Sequence, residues 1–230
     1  MNTVHLGDNM EFMKTIPDNY YELAIVDPPY GIELKGANVI KNKSDTNRVF
    51  NTDWDKSIPT EEYFDELKRV SKNQIIWGGN YFLDYLGYCK APIIWDKLNG
   101  DSMYADGEMA WTSKGLPRNL KIFKHQWCGC FKDSERKELK IHPTQKPVAL
   151  YKWLLQKYAK KGDKIFDSHV GSGSSRIACY DLGYDFTGCE IDKDYWQAQE
   201  DRFNKHISQL SLFTPDELEP KKEYEQDDLF

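Results

Sequence analysis

The sequence predicts an α/β domain, a mainly parallel sheet with helices on both faces. Three observations carry this. Short apolar runs alternate with helical patterns along most of the chain; two of the runs end at an aspartate just ahead of a Pro-Pro pair or a glycine turn; and Lys164 to Glu190 reads as a complete βαβ unit. Strands that alternate with helices pair in parallel, and such sheets hold ligands at the carboxyl ends of their strands.

Taken in order, Thr3 to Leu6 is a short apolar strand, and Asn9 to Ile16 a helix with Met10, Phe12, Met13 and Ile16 as its apolar positions. Tyr21 to Val26 is a strand that runs into Asp27-Pro28-Pro29-Tyr30-Gly31. The prolines have no N–H to donate and keep the residue before each out of the helical region, so the strand ends in a rigid, extended corner. Residues 33 to 57 are polar, aperiodic and too long for a simple connection, as functional loops are. Tyr63 to Val70 is a helix, opened by Pro59-Thr60-Glu61-Glu62 with Thr60 as the N-cap. Gln74 to Trp77, Pro92 to Trp95, Glu108 to Thr112 and Lys121 to Phe123 are further strands.

Pro147 to Tyr158 is an amphipathic helix, with Val148, Leu150, Tyr151, Leu154, Leu155 and Tyr158 at helical spacing and Lys160-Lys161-Gly162 beyond its end. Lys164 to Asp167 is then a strand, Gly171-Ser172-Gly173 a tight turn, Ser174 to Leu182 a helix, and Asp185 to Cys189 a strand ending at Glu190.

With 230 residues the chain holds one domain. No apolar run reaches the roughly 18 residues of a membrane span, and Met1 to Asp8 is no signal peptide, so a cytoplasmic protein is expected. Five cysteines without regular spacing argue for reduced thiols. Cys128 and Cys130 lie between His125 and His142, but Cys-x-Cys is tighter than the usual zinc spacing; a packed strand and no metal are expected.

The net charge of −6 hides a segregation. Residues 112 to 164 carry fourteen Lys or Arg against four Asp or Glu, whereas residues 214 to 230 carry seven acids against two lysines. The basic segment is the candidate for phosphate contact, against a plain solvated face.

Two constellations carry chemistry. The first is the glycine turn: a strand delivers Asp167, Gly171 and Gly173 let the backbone approach a ligand, and Glu190 ends the next strand seventeen residues past Gly173. That spacing suits a carboxylate accepting from ribose hydroxyls. Gly171-Ser172-Gly173-Ser174-Ser175 is neither a phosphate loop nor the full nicotinamide fingerprint. A nucleoside bearing a methionine zwitterion, S-adenosylmethionine, explains more of these residues than NAD does, since Asp167 is placed to accept from its ammonium.

The second constellation, Asp27-Pro28-Pro29-Tyr30, resembles the signature tetrad of S-adenosylmethionine-dependent DNA amino-methyltransferases, which modify adenine N6 or cytosine N4. The prolines freeze a backbone carbonyl beside the Asp27 carboxylate, offering two acceptors to one exocyclic amine. Its lone pair is delocalised into the ring, and two acceptors that draw the N–H bonds out of plane favour the pyramidal geometry that attack requires. Tyr30 would stack on the base once it has left the duplex. No Pro-Cys pair of the kind a ring-carbon methyltransferase uses is present.

Further matches lengthen the resemblance. Asp8 is placed like the acid that contacts the cofactor adenine, and His142-Pro143-Thr144-Gln145-Lys146-Pro147 resembles the element that closes over the methionine end, which adds Thr144, Lys146 and Pro147 to the cofactor set of Asp8, Asp167, Gly171, Ser172, Gly173, Glu190 and Ile191. The order of tetrad, basic segment and cofactor half looks like the β class of the family. It implies a Rossmann-like fold of the class I methyltransferase type over residues 1–208, with a catalytic half (1–96), a small basic target-recognition segment (97–141) and a cofactor-binding half (142–208), followed by an acidic flexible tail (209–230). One departure is local: the family's Asp-Pro-Phe stands here as Asp167-Ser168-His169. Another is the small size of the middle segment.

The resemblance implies a site-specific adenine-N6 methyltransferase of duplex DNA, bacterial or phage-encoded, with or without a restriction partner, and a homodimer as one assembly. Cytosine N4 makes identical chemical demands. A non-catalytic DNA-binding or clamp-associated protein on the same fold is the rival from another class, and a small-molecule or protein-glutamine methyltransferase a third, which the basic segment disfavours. Candidate DNA contacts are Lys35, Lys41, Lys43 and Arg48 in the long loop, and Lys114, Arg118, Lys121, Lys124, Lys132 and Arg136 in the basic segment. In the tail, Gln209-Leu210-Ser211-Leu212-Phe213 resembles the peptide by which bacterial proteins dock on the sliding clamp, with Gln209, Leu210, Leu212 and Phe213 as its contacts.

Overall fold

The computed structural model describes residues 1–33, 52–100, 105–128, 131–135, 138 and 140–210. Its centre is an eight-stranded sheet built from β1 (Asn2–Leu6), β2 (Leu23–Val26), β3 (Gln74–Trp77), β4 (Ile93–Asp96), β5 (Gly107–Thr112), β6 (Lys121–Lys124), β9 (Lys164–Asp167) and β10 (Asp185–Glu190). The two-residue β7 (Trp127–Cys128) and β8 (Phe131–Lys132) form a separate antiparallel pair. The spatial order is β1-β10-β9-β2-β3-β5-β4-β6. Only β5 runs antiparallel, against both β3 and β4. The expected α/β class with a mainly parallel sheet holds.

Strand alternation divides the core into two layers. In β2, Leu23 and Ile25 point into a cluster with Ile75, Trp77, Ile93 and Trp95, whereas Ala24 and Val26 point into the other with Ile76 and Phe166. Helices α4 (Val148–Tyr158) and α5 (Ser174–Leu182) cover the first face through Leu150, Leu154, Leu155 and Ile177. The opposite face is covered by α1 (Asn9–Lys14), α2 (Glu61–Val70) and the one-turn α3 (Leu83–Leu86), through Met13, Tyr63, Phe64, Leu67 and Leu86.

Two elements depart from the sequence reading. Tyr21 stands outside β2 and makes an isolated bridge to Ser71. The strands expected within residues 97–141 are β5 and β6 of the main sheet. An eighteen-residue helix, α6 (Lys193–Leu210), follows β10 where none was expected. Its buried face includes Gln199 and Arg202 beside Tyr195 and Phe203, and these polar residues break the apolar period. Arg176 donates to Gln199 at 2.9 Å, and Arg202 donates to Ser172 O at 2.8 Å, so the buried polar groups are satisfied. Among the described residues, no helix is long and apolar enough to cross a membrane.

Candidate active site

Asp8, Glu190, Asp167 and Asp27 stand at or just beyond the carboxyl ends of β1, β10, β9 and β2, which are neighbours in that order. The parallel register therefore gathers four carboxylates along one edge of the sheet from positions spread over 183 residues.

At the corner after β2, the first two N–H groups past the proline pair, those of Tyr30 and Gly31, both donate to Oδ1 of buried Asp55, at 2.9 and 3.0 Å. Gly31 takes a φ of +68°, which glycine tolerates without strain. The Tyr30 ring lies on Gly78, where a Cβ would come within 2.2 Å of it, and stacks on Tyr81 at 5.0 Å. Its hydroxyl donates to Asp27 Oδ1 at 2.6 Å. Aspartate, tyrosine and the backbone between them thus form one fixed unit.

That unit is wired to a buried ion cluster. Lys146, 3% exposed, sets its Nζ 2.5 Å from Asp27 Oδ2 and 2.9 Å from Glu108 Oε2. Lys97 binds the other Glu108 oxygen at 2.5 Å. Burial pushes the Asp27 carboxyl pKa up, although Lys146 opposes the shift. Burial acts on Glu108 in the same sense, but Lys146 and Lys97 together overcome it and hold this carboxyl down at about 2. Burial would lower the Lys146 pKa; Asp27 and Glu108 outweigh it and keep the ammonium charged.

The glycine turn takes the form its sequence suggests, with φ of +51° at Gly171 and +74° at Gly173, the residue before α5. Glu190 is held by two backbone donors, Gly171 N–H to Oε2 at 2.8 Å and Asp192 N–H to Oε1 at 3.0 Å. Each carboxylate oxygen has a second lone pair with which to accept from a ligand. Asp167 accepts from Ser175 Oγ at 2.6 Å and from His169 N–H at 3.0 Å, and burial raises its pKa to about 7. Asp8 caps α1, its Oδ1 accepting from Met10 and Glu11 N–H. Ile191, beside Glu190, is 65% exposed, an apolar surface at the mouth of the turn.

The Ser168-His169 departure is absorbed by a hydrogen-bonded string. The Tyr63 hydroxyl lies 2.7 Å from Ser168 Oγ, Ser168 Oγ 2.9 Å from His169 Nδ1, and Asn9 Nδ2 3.2 Å from His169 Nε2. Burial lowers the His169 pKa to about 4, so the ring is neutral. In the 142–147 element, Thr144 Oγ1 lies 3.1 Å from His142 Nδ1, and Lys146 O accepts from Ser174 Oγ at 2.7 Å. Pro147 precedes α4 at its N-cap. Ser172 Oγ is 3.2 Å from Ser174 Oγ, within the turn. Lys146, expected at the methionine end of the cofactor, spends its ammonium on the Asp27 corner instead.

The basic residues do not share one location. Because β5 runs backwards, its end and the connection carrying Lys114 and Arg118 lie at the opposite end of the sheet from Asp27, beside Asn73 and Gln74; Lys121, paired with Ile93 at the start of β4, lies there too. These three therefore lie away from the Asp27 corner, at the other end of the sheet. Lys124, paired with Asp96, is exposed at the active end. Lys132 lies over the Trp127 ring at 4.6 Å and donates to Glu138 O. Lys35, Lys41, Lys43, Arg48 and Arg136 lie outside the described residues, as do Leu212 and Phe213; Gln209 and Leu210 end α6.

Sequence reasoning missed Asp55, Gly78, Lys97 and Glu108. Each acts on a residue far away in the chain, and none stands in a local pattern that marks it. Among the described residues, no group of three or more His, Cys, Asp or Glu could hold a metal.

The donor set also discriminates between cofactors. A row of carboxylates held by neutral donors suits ribose hydroxyls and a cationic amino group, and repels the pyrophosphate of a dinucleotide. Comparison with known proteins agrees. Residues 108–201 match the N6/N4 DNA methylase family model. The chain is 27% identical to the type II methyltransferase M.HinfI of Haemophilus influenzae, over 96% of this chain and 74% of that protein. Its fold is similar to that of M1.HpyAVI solved with SAM (TM-score 0.58, 21% identity, 88% of this chain and 100% of that one). It is similar also to that of the cytosine-N4-specific PvuII DNA methyltransferase (TM-score 0.58, 14% identity, 91% of each chain).

Proposed function

From the premise that the chain belongs to the N6/N4 family of DNA amino-methyltransferases and uses S-adenosylmethionine, we propose that it methylates the exocyclic N6 of a flipped adenine in duplex DNA. The observation that carries the reading is the corner itself, where Asp27 is fixed beside the proline backbone at the end of β2, with Tyr30 locked over Gly78. Bound S-adenosylmethionine supplies a sulfonium methyl open to direct displacement. Asp27 and a corner carbonyl accept the two N–H bonds of the target amine, turning its lone pair toward that methyl. They bind the developing cationic amine more tightly than the flat neutral one, and so lower the barrier. The Tyr30 ring holds the base plane, and orientation of the two reactants supplies most of the remaining acceleration. Glu190 would hold the ribose, while Asp8, Asp167, the Gly171–Gly173 turn and exposed Ile191 would surround the rest of the cofactor.

Asp at position 27 favours adenine. Cytosine N4 is the second reading, motivated by the cytosine-specific fold relative. Mass spectrometry of nucleosides from DNA treated with the protein and labelled cofactor decides between them: N6-methyladenine is expected, and N4-methylcytosine alone would overturn the choice. Duplex DNA is the substrate partner in this reading, with Lys124 and Lys132 as its described basic contacts at the active end. Gln209 to Phe213 is proposed as a clamp-docking peptide; a Phe213→Ala chain that is still captured by the clamp as wild type is would remove that proposal.

A further inference from the structure

We infer that Glu108 is a positioning residue for methyl transfer: it is the second seat of the Lys146 ammonium, taken up when the target amine replaces Lys146 on Asp27. The inference rests on the amino-methyltransferase reading of Asp27. Both Asp27 oxygens are engaged, Oδ1 by the Tyr30 hydroxyl at 2.6 Å and Oδ2 by Lys146 at 2.5 Å. An incoming amine needs that carboxylate; although each oxygen has a further lone pair, the amine is inferred to take the place of Lys146 on Oδ2. Lys146 cannot simply be released, because an ammonium this buried is strongly disfavoured without an anionic partner.

Glu108 solves this within the existing geometry. Its Oε2 lies 2.9 Å from the same Nζ, so Lys146 keeps a complete ion pair while yielding Asp27. Lys97, on Oε1 at 2.5 Å, fixes the glutamate side chain and keeps it ionised, as the low Glu108 pKa indicates. Tyr30 Oη, 3.4 Å from Glu108 Oε2, has the same alternative acceptor. Two carboxylates and two ammonium groups balance in charge, so the exchange moves no net charge toward an incoming neutral base. The antiparallel direction of β5 is what brings Glu108, near its start, to the carboxyl ends of the parallel strands.

The test is single-turnover transfer of a tritiated methyl group from S-adenosylmethionine to unmethylated bacterial genomic DNA at saturating concentration. Wild type, Glu108→Gln, Lys146→Met and the double variant are compared, with cofactor affinity by calorimetry and melting temperature measured for each. Glu108→Gln is expected to slow transfer roughly tenfold or more while leaving cofactor Kd within about twofold, because Lys146 then stays on Asp27. In the Lys146→Met background the same change is expected to cost less than about twofold, since no ammonium needs a seat. A Glu108→Gln enzyme with the wild-type rate, a loss confined to the KM for DNA, or losses that multiply in the double variant would overturn the inference. Should Glu108→Gln fail to fold, Glu108→Asp in both backgrounds completes the same cycle. Slowing only where Lys146 is present supports the inference; equal slowing in both backgrounds overturns it. Absence of label in DNA with wild type would instead strike the proposed function.

Discussion

The two halves of the active edge treat their carboxylates in opposite ways. On the cofactor side, Asp8, Asp167 and Glu190 are held by hydroxyl and backbone N–H donors, which orient an acid without cancelling its charge. On the target side, Asp27 and Glu108 are matched by Lys146 and Lys97. The first half therefore presents acids that no cation among the described residues neutralises, with the ionised form disfavoured by burial at Asp167 and Glu190, so that a cationic methyl donor is the partner that would restore their charge. The second is a charge-balanced cluster, which in the proposed reaction receives an uncharged base that becomes cationic only during transfer. The same residue types are sorted by their partners into binding a charge and developing one.

This division can be broken from either side. The largest effect is expected from Asp27→Ala, which removes the acceptor proposed to act chiefly in the transition state: transfer of labelled methyl should fall about 10²–10³-fold or more, while calorimetric cofactor binding stays close to wild type. A comparable loss of cofactor affinity would mean that the two halves are not separable. Glu190→Ala should do the reverse, weakening cofactor binding by about 10-fold to 100-fold through lost charge-assisted hydrogen bonds, with a much smaller change in rate at saturation.

A smaller effect is expected at Gly78. An alanine there carries a methyl into the Tyr30 ring and sits at a φ of +69°, so a destabilisation of about 1–3 kcal/mol in chemical denaturation is expected, accompanied by slower transfer. Unchanged stability would show that the ring is free to move aside. At neutral pH the smallest effect is expected at His169, where the change appears only in acid. Burial depresses the His169 pKa from an ordinary value near 6.5 to about 4, so the unfolded chain binds the extra proton between those values. Stability from this group is complete above about 6.5 and is lost as the pH falls toward 4, with a slope of at most about 1.4 kcal/mol per pH unit. His169→Gln should flatten the acid side of the melting-temperature profile relative to wild type; an unaltered profile would place the cost of acid elsewhere.

Much of this protein could be read locally. Apolar runs bounded by proline and glycine marked the strands, the Pro-Pro pair marked the end of β2 at Asp27, and the spacing from Gly173 to Glu190 marked the βαβ unit of the cofactor half. These signals are local because backbone sterics and strand or helix periodicity act over a few residues. Helix α6 was not legible, since its buried Gln199 and Arg202 find partners only in the folded chain. The reversal of β5 was not legible either, and it decides three things at once: Glu108 enters the site, Lys97 follows it, and Lys114 and Arg118 are carried to the far end of the sheet. Local pattern was enough for the fold class, the Asp27 corner and the glycine turn. That Lys146 serves Asp27, that Asp55 ties the backbone of Tyr30 and Gly31, and which acids are paired with a cation follow from the folded chain alone, because strand register and burial set those pairings across long stretches of chain.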